Sequence, residues 1–454
     1  MSKIHFGTNG WRGVFGRDFD ADGAERIAHA LARELARGAR VIVAYDTRAH
    51  SHEIAALCAS VLAGAGVDAR LCVSSTPTPI AGHLVRSLRA QAGLVITASH
   101  NLPEYLGLKV LAPGGEGAPR ALLDSLALRA NAARQPRREL RAPRALRAPA
   151  DRYVRALKAL IDTRGIARKR PRVLYDAMHG AGAGVLDRAL RELGARVEVM
   201  RGDPDPRFGG GAPDPTPPRL RGLAAAVKRG RFAFGVASDG DADRFALVDS
   251  RGRLLSETES LAVLVDHVAA TRALKRVAIS HATGSLVERA ARAHGLAVTR
   301  AGIGFSPLAR ALRAREADLA GEESGGFAWR ALCFDKDGIL AAALALEAAA
   351  NEPIHERLAR LTREHGSGAC GRVATPATVR ARKALARLAG APPERVGGAR
   401  VLEAHVDDGV RLVLEDGFAY WRASGTEPVI RVYAEAPSRT ALARRLAAGI
   451  ARVR

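Results

Sequence analysis

The feature that most constrains the fold is an alternation of short apolar segments with longer amphipathic ones, which begins near residue 39. The strand-like segments are ARVIVAY, DARLCV and AGLVITAS, and the helix-like segments between them are HEIAALCASVLAGAG and IAGHLVRSLRA. Strands that are apolar at consecutive positions are buried on both faces, as in a sheet covered by helices on either side. The pattern therefore predicts an α/β fold built in layers.

The same alternation recurs twice farther along the chain. RVLYD, ARVEVM and RFAFGVAS are the apolar segments of a second unit, and RVAIS and LAGEES are those of a third. FALVDSRGRLL, at the end of the second unit, resembles a hairpin. Beyond Gly366, short strands with turn signals at Asp408-Gly409 and Asp416-Gly417 precede a final helix, which predicts a smaller α+β domain.

We therefore predict four domains, which suits a chain of 454 residues at roughly 100–200 residues per domain. The Pro- and Arg-rich stretch ARQPRRELRAPRALRAPA marks the first boundary. The predicted domains span residues 1–145, 146–252, 253–367 and 368–454, the first three being α/β and similar in layout.

The net charge of +23 allows two interpretations. A basic face could bind nucleic acid, or scattered Arg side chains could solvate helices while a few cations serve an anionic small substrate. The Arg residues are interleaved with Ala and Leu at helical spacing, as in LARELARGAR, and no basic stripe carries the aromatic residues that stack bases. The second interpretation is favoured, and no specific nucleic acid partner is expected.

The cysteines and the apolar runs indicate the compartment. The four cysteines are far apart and form no C-x-x-C pair, so free thiols in a reducing cytoplasm are expected. No stretch reaches the roughly 18 apolar residues of a membrane-spanning helix, and the start MSKIHFGTNGWRG lacks the apolar run of a signal peptide. We expect a cytoplasmic protein without membrane partners.

The strongest local signal is the run Asp239-Gly240-Asp241-Ala242-Asp243-Arg244, directly after an apolar strand. Three carboxylates this close repel one another and require a compensating cation. Oxygen ligands alone suit a hard divalent ion, Mg²⁺ or Ca²⁺, although an acidic turn at a strand end is an equally good interpretation of the run by itself.

A second signal is Thr97-Ala98-Ser99-His100-Asn101, directly after the strand AGLVI. A serine at the end of a buried strand is held rigidly with its hydroxyl exposed, which suits a nucleophile at the carboxyl edge of an α/β sheet. His100 is in position to move protons. An ordinary helix N-cap is the alternative interpretation of the run.

Three further segments place polar side chains among glycines. The acidic segment 321–326, GEESGG, could grip sugar hydroxyls, and the segment 422–428, RASGTEP, could form a phosphate cradle around Arg422. The segment 6–13, FGTNGWRG, offers the lone Arg12 to an anion. Solvated turns remain the alternative for each segment taken singly.

Taken together and in this order, the five motifs FGTNGWRG, TASHN, DGDADR, GEESGG and RASGTEP resemble the signatures of the α-D-phosphohexomutases. That family includes phosphoglucomutase, phosphomannomutase and phosphoglucosamine mutase. The resemblance implies four domains around a central cleft, three of them α/β and the last one smaller. It also implies a cytoplasmic enzyme of carbohydrate metabolism that interconverts hexose 1-phosphate and hexose 6-phosphate through a hexose 1,6-bisphosphate, which also serves as activator.

The resemblance also implies a role for each motif. Ser99 is the phosphoserine, and Asp239, Asp241 and Asp243 hold Mg²⁺ together with a phosphoserine oxygen. Glu322 and Ser324 contact the sugar hydroxyls. Further residues of the implied site bind the substrate's own phosphate (Arg422, Ser424, Gly425 and Thr426) or assist phosphoryl and proton transfer (Arg12, His100, Lys109 and Arg244).

The resemblance leaves the sugar open. Glucose phosphates are favoured and mannose phosphates come second, while phosphoglucosamine mutases commonly have Gln where Glu323 stands. Two alternatives to a hexose mutase stay open at this point: a nucleic-acid-binding protein, suggested by the charge, and a non-catalytic sugar-phosphate-binding protein on the same fold.

Overall fold

A computed structural model gives the structure of the chain and describes residues 2–7, 10–133, 139–425 and 427–454. The chain divides into two compact units. The first consists of Met1–Leu255 with Gly326–His355, and the second of Ser256–Gly325 with Glu356–Arg454. Each unit is described by itself.

The first 255 residues contain ten strands and eight α-helices within the described ranges. The strands are β1 Trp11–Val14, β2 Arg40–Tyr45, β3 Asp68–Cys72, β4 Ala92–Ile96, β5 Tyr105–Leu111, β6 Arg144–Leu146, β7 Arg172–Asp176, β8 Arg196–Met200, β9 Phe234–Ser238 and β10 Phe245–Asp249. The helices are α1 Ala21–Glu34, α2 Ser51–Gly64, α3 Thr78–Ser87, α4 Arg120–Ala132, α5 Pro149–Leu160, α6 Thr163–Lys169, α7 Leu186–Glu192 and α8 Arg221–Gly230.

The first sheet has the strand order β1-β5-β4-β2-β3-β6. Strand β2 pairs in parallel with β3 and β4, as the alternating pattern predicts, and its apolar side chains are buried. Strand β5 is antiparallel to β4, and β1 is antiparallel to β5. These two antiparallel strands were not predicted. Only a short loop joins β4 to β5, and a return this tight reverses the chain direction, because a parallel crossover needs a dozen or more residues.

The second sheet has the order β10-β9-β7-β8, with β7 parallel to both β8 and β9. The predicted hairpin FALVDSRGRLL forms only in part. Its first arm is β10, but its second arm contributes one isolated bridge between Val248 and Leu254, and the extended partner of β10 is β9. The connection from β9 to β10 carries the acidic run.

The remainder of the chain completes the list of elements. The strands are β11 Arg276–Ser280, β12 Ala297–Ala301, β13 Leu319–Gly321, β14 Phe327–Trp329, β15 Ala369–Pro376, β16 Arg395–Val396, β17 Ala399–His405, β18 Val410–Leu414, β19 Gly417–Ala423 and β20 Val429–Ala436. The helices are α9 Glu257–Thr271, α10 Ser285–Ala293, α11 Phe305–Arg313, α12 Gly338–Asn351, α13 Ile354–His365, α14 Val379–Gly390 and α15 Arg439–Ala451. Strand β14 and helix α12 belong to the first unit.

The second unit combines a parallel and an antiparallel sheet. Strand β11 pairs in parallel with β12 and β13. The last sheet has the order β15-β20-β19-β18-β17-β16, and every neighbouring pair in it is antiparallel. Its β17–β18 turn contains Gly409 at φ +97°, which glycine adopts at little cost. The three α/β domains and the smaller C-terminal α+β domain are thus confirmed, whereas the four domain bounds remain a prediction. Within the described residues, every helix falls short of what crossing a lipid bilayer requires.

A buried polar contact links two helices of the first unit. The hydroxyl of Tyr153, on α5, donates to both carboxylate oxygens of Asp337, at 2.8 and 2.7 Å. Asp337 also caps α12 by accepting from the backbone amides of Ile339 and Leu340. Burial raises the pKa of Asp337 to about 6, and these donors limit the rise.

Tyr153→Phe should lower the free energy of unfolding by about 1–3 kcal/mol, because a buried carboxylate loses a donor. The pKa of Asp337 in the folded chain lies above its ordinary value, so folding favours the protonated form, and this stabilisation is lost as pH rises through about 6. Without the Tyr153 donor the ionised form is less stable still. Urea unfolding should therefore show a larger loss at about pH 8 than at about pH 5.

The matched background for this prediction is Asp337→Asn, which keeps the helix cap but cannot ionise. In that background the effect of Tyr153→Phe should no longer depend on pH. Equal losses at both pH values in the unaltered chain would contradict the assignment of the coupling to the Asp337 carboxylate.

Candidate active site

Two loops of the first unit meet at their backbones and bring Ser99 to the acidic run. Ser99 follows β4 and Asp239 follows β9, and the Ser99 hydroxyl donates to Asp239 Oδ2 at 2.8 Å. Both residues are buried. A Cβ on Gly240 would lie 2.5 Å from the carbonyl oxygen of Ser99, so only glycine permits this approach. The structure thus places the serine hydroxyl against the acidic run.

The three carboxylates of the run form one buried cluster. Asp239, Asp241 and Asp243 each offer one oxygen, and these oxygens lie within 4.8 Å of one another. The Lys109 ammonium, from β5, donates to Asp241 Oδ2 at 2.5 Å and to Asp243 Oδ2 at 2.9 Å. Lys336 Nζ lies 3.5 Å from Asp243 Oδ2. Two cations thus offset part of the negative charge.

The cluster fits a divalent cation. Oδ1 of Asp241 and Oδ1 of Asp243 are buried, and neither has a hydrogen-bond partner in the described part of the chain. Buried carboxylate oxygens are rarely left in this state, because the desolvation of an anion is costly. A hard ion with oxygen ligands would satisfy both atoms, which is the chemistry expected from the sequence.

The pKa of Asp239 is shifted in the opposite direction to the pKa values of Asp241 and Asp243. Burial, with the charges of Asp243 and Asp241, raises the pKa of Asp239 well above its usual range. Burial acts in the same direction on Asp241 and Asp243, but Lys109 together with Thr78 at Asp241, and Lys109 together with Lys336 and Arg244 at Asp243, outweigh it and lower the pKa of both. Burial alone would lower the pKa of Lys109, yet the two carboxylates raise it. Lys109 is therefore a fixed positive charge.

Arg12, His100 and Arg244 surround the same cluster. Arg12 Nη1, from β1, donates to the Asn101 side chain at 3.0 Å, and the backbone amide of Arg244 donates to Asp239 Oδ1 at 3.1 Å. His100 Nδ1 lies 3.3 Å from the Ser99 hydroxyl oxygen. Burial, together with the charges of Arg244 and Arg12, lowers the pKa of His100 to about 3, so its imidazole is neutral at neutral pH.

The predicted sugar segment follows β13 in the second unit. The Ser324 hydroxyl donates to Glu322 Oε1 at 2.6 Å. The neighbouring Glu323 accepts from the Ser280 hydroxyl at 2.6 Å, and burial together with the charge of Glu322 raises the pKa of Glu323 to about 7. Glu322 and Ser324 thus form one hydrogen-bonded pair, while the carboxylate of Glu323 is engaged by Ser280 of β11.

The predicted phosphate segment begins at the end of β19, also in the second unit. Arg422 Nε donates to the two carboxylate oxygens of Asp408, at 3.0 and 2.9 Å. The Ser424 hydroxyl accepts from the backbone amide of Glu427 at 3.3 Å, and a Cβ on Gly425 would meet no atom among those described within 4 Å. Thr426 lies outside the described residues.

Two side chains of the cluster lie outside the motifs that the sequence indicates. The Thr78 hydroxyl, at the start of α3, donates to Asp241 Oδ2 at 2.5 Å, and Lys336 precedes α12. Both lie at helix starts, where Thr and charged residues are common, so neither position stands out from the sequence. Only the packing of α3 and α12 against the acidic run brings them to the site.

Comparison with known proteins gives matches to all four domains of one family. The four domain models of phosphoglucomutase/phosphomannomutase, which describe three alpha/beta/alpha domains and a C-terminal domain, match residues 3–137, 151–252, 257–365 and 371–453 in that order.

Individual relatives cover nearly the whole chain. A phosphoglucomutase/phosphomannomutase of Thermococcus kodakarensis is 31% identical over 96% of this chain and 95% of its own length. A phosphoglucosamine/phosphogalactosamine mutase of Sulfurisphaera tokodaii is 29% identical, covering 96% of each. A crystal structure of a phosphoglucomutase/phosphomannomutase family protein from Burkholderia thailandensis superposes with a TM-score of 0.84, at 26% identity, over 98% of this chain and 96% of its own.

The ordered match of all four domain models and the relationship to the Thermococcus enzyme show that this chain belongs to the phosphoglucomutase/phosphomannomutase family, a family of enzymes that transfer phosphoryl groups as mutases.

Proposed function

We propose that the chain is a phosphohexomutase in which Ser99 carries the phosphoryl group. The observation that carries the proposal is the contact between the Ser99 hydroxyl and Asp239 Oδ2, at 2.8 Å, beside two further buried carboxylates. A hydroxyl here can take a phosphoryl group whose charge the surrounding cations neutralise. The domain bounds predicted from the sequence, 1–145, 146–252, 253–367 and 368–454, are part of the same proposal.

Asp239, Asp241 and Asp243 would hold Mg²⁺ together with a phosphoserine oxygen. When bound, the ion supplies Lewis-acid stabilisation of charge on the phosphoryl oxygens. The support for this ligand set is the presence of two buried carboxylate oxygens that lack a partner among the described residues. The loops of β4 and β9 fix the set in place before substrate arrives.

The cationic side chains neutralise the transferring group. Phosphoryl transfer depends on positioning and on charge stabilisation more than on covalent chemistry. Lys109, paired with Asp241 and Asp243, keeps its proton and acts as a positive charge rather than as a base. Arg12 and Arg244 add positive charge on the Ser99 side of the cluster. His100 Nδ1, 3.3 Å from the Ser99 hydroxyl oxygen, is placed to move a proton, although its pKa of about 3 makes the neutral imidazole a weak base.

The remaining residues bind the rest of the substrate. Glu322 and Ser324, already hydrogen-bonded to each other, read the sugar hydroxyls. The phosphate that is not reacting binds to Arg422, Ser424, Gly425 and Thr426. Such a cradle recognises phosphate alone and accepts the sugar in either orientation. Phospho-Ser99 therefore produces a hexose 1,6-bisphosphate, which turns around and returns its other phosphate to Ser99; added bisphosphate acts as activator.

Glucose phosphates are the proposed substrate, with mannose phosphates second. The alternative to these two hexose phosphates is glucosamine phosphate, because the Sulfurisphaera relative is named a phosphoglucosamine/phosphogalactosamine mutase. Glu323 accepts from Ser280, so its carboxylate is engaged within the domain. We therefore give the identity of residue 323 little weight in the choice between glucose and glucosamine.

Ser99→Ala should abolish the phosphorylated form of the protein and lower mutase turnover by more than about 10³-fold, because the acceptor oxygen is gone. Intact-mass measurement after incubation with a hexose bisphosphate checks the first effect, and a coupled assay checks the second. Ser87→Ala, at an exposed serine of α3, is the matched control and should change neither. A phosphate adduct that persists in Ser99→Ala would contradict the proposal.

Asp241→Asn should raise the Mg²⁺ concentration for half-maximal activity at least about tenfold, since one charged ligand becomes neutral. Calorimetric titration of Mg²⁺ into the substrate-free protein gives a readout that is independent of activity. Asp124→Asn, which removes an exposed carboxylate from α4, serves as the control. If Asp241→Asn bound Mg²⁺ as tightly as the unaltered chain, the carboxylates would not be the metal ligands.

A panel of sugar phosphates tests the substrate. With Mg²⁺ and a trace of hexose 1,6-bisphosphate, we expect the highest kcat/KM on glucose 1-phosphate and the next on mannose 1-phosphate. A higher kcat/KM on glucosamine 1-phosphate than on either hexose phosphate would instead indicate a phosphoglucosamine mutase. Tight binding of a hexose phosphate by a protein that never becomes phosphorylated would indicate a non-catalytic binding protein and overturn the mutase proposal.

A further inference from the structure

We propose that Asp46, Arg48 and Thr97 are positioning residues that hold the phosphoserine loop, residues 97–105, so that the Ser99 hydroxyl faces Asp239. The proposal deepens the function proposed above and rests on it. Thr97 is the first residue of the TASHN motif, whereas Asp46 and Arg48 belong to none of the five motifs. Together they form a buried network between β2 and the loop.

The loop contains a backbone conformation that its residue does not favour. Ser99 has φ +53°, in the left-handed region that glycine adopts freely and other residues adopt at a cost. A non-glycine residue persists there only when surrounding contacts determine the backbone. The loop's own contribution includes a turn in which the Asn101 amide donates to the Ala98 carbonyl at 3.1 Å. Further contacts come from outside the loop.

Arg48 supplies four hydrogen bonds to the backbone of the loop from outside it. Its Nη2 donates to the carbonyls of Ser99 and Asn101, at 2.6 and 2.7 Å. Its Nη1 donates to the carbonyls of Leu102 and Tyr105, at 2.7 and 3.0 Å. One planar guanidinium thus fixes four backbone oxygens over seven residues. Lysine could not reproduce this pattern, because an ammonium presents its donors from a single atom.

Asp46 and Thr97 complete the network. Asp46 accepts from Arg48 Nε at 3.2 Å and from the Thr97 hydroxyl at 2.6 Å. The Thr97 hydroxyl oxygen in turn accepts from the Ser99 amide at 2.8 Å. The carboxylate of Asp46 therefore orients both the guanidinium and the hydroxyl that hold the Ser99 peptide.

The network acts through Ser99 and does not reach substrate. The side chains of Asp46 and Arg48 are completely buried, and the guanidinium lies 4.8 Å from the centre of the Phe208 ring. Phe208 belongs to the second sheet's domain, as does His179, whose carbonyl accepts from the Thr47 hydroxyl at 2.8 Å. The segment 46–48 thus contacts both the Ser99 loop and the domain that carries the acidic run. Loss of this hydrogen-bond network should therefore lower turnover and leave substrate affinity unchanged.

Arg48→Lys and Thr97→Val test the proposal, the second being nearly isosteric so that folding is preserved. Each should lower kcat about 10–100-fold and leave KM for the hexose phosphate within about twofold, because a misplaced nucleophile costs rate without removing a substrate contact. Thr97→Ser keeps the hydroxyl and should recover most of the loss. Amide hydrogen exchange on the substrate-free protein should be faster at residues 99–105 in Arg48→Lys.

Arg26→Lys is the matched control. Arg26 is also a buried arginine of the first unit that donates to backbone carbonyls, those of Ser2 and Ala130, and it makes no contact with the loop. The Arg26→Lys variant should leave kcat and the amide hydrogen exchange of residues 99–105 unchanged. Unchanged loop exchange and turnover in both Arg48→Lys and Thr97→Val would overturn the inference, whereas an unaltered chain without mutase activity would overturn the proposed function instead. A tenfold rise in KM at constant kcat in Arg48→Lys or Thr97→Val would show that the residue binds substrate, and this result would also contradict the positioning role.

Discussion

The burial of three carboxylates beside one serine hydroxyl is the constraint on which the first unit depends. Charges of one sign in a medium of low dielectric repel strongly, and each also loses its hydration. Lys109 and Lys336 offset part of this cost, and the raised pKa of Asp239 shows that they do not offset all of it. A divalent cation, as proposed for this site, would satisfy the buried Oδ1 atoms of Asp241 and Asp243, which lack a hydrogen-bond partner among the described residues.

Strand β5 and helix α12 bring further groups of the first unit to the three carboxylates. Lys109 reaches Asp241 because β5 runs antiparallel beside β4, so that the strand leaving the Ser99 loop returns along it. Helix α12 approaches from another side, and its first residue, Gly338, donates its amide to the carbonyl of Ala242 at 3.2 Å. A Cβ on Gly338 would lie 2.5 Å from the carbonyl oxygen of Arg244, so this approach also requires glycine. The site is thus assembled from five separate stretches of the first unit, namely β1, the start of α3, the β4–β5 segment, the β9–β10 connection and the segment before α12.

Much of the fold could be predicted because the buried strands are continuously apolar. Strands β2, β4, β7 and β9 lie where the sequence indicates, since a strand covered on both faces has no polar alternation to obscure it. The antiparallel strands β1 and β5 and the incomplete second arm of the predicted hairpin could not be predicted. Strand direction depends on which neighbour a segment pairs with, and local composition does not encode that choice. For the same reason the contacts of Thr78 and Lys336 with the acidic run could not be predicted from the sequence.

The sequence by itself determined the chemistry: a serine after one buried strand, three alternating aspartates after another, and the order of motifs that assigns the chain to its family. These are local properties, because the end of a strand and the spacing of carboxylates are written within a few residues. The tertiary structure alone decided how these groups meet. Arg48 lies 51 residues from Ser99, and Asp239 lies 140 residues from it. Hydrogen bonds over such separations exist only after the sheets have formed, since closing long loops costs entropy that local contacts cannot repay. The left-handed backbone of Ser99 and the aim of its hydroxyl are therefore properties of the folded domain.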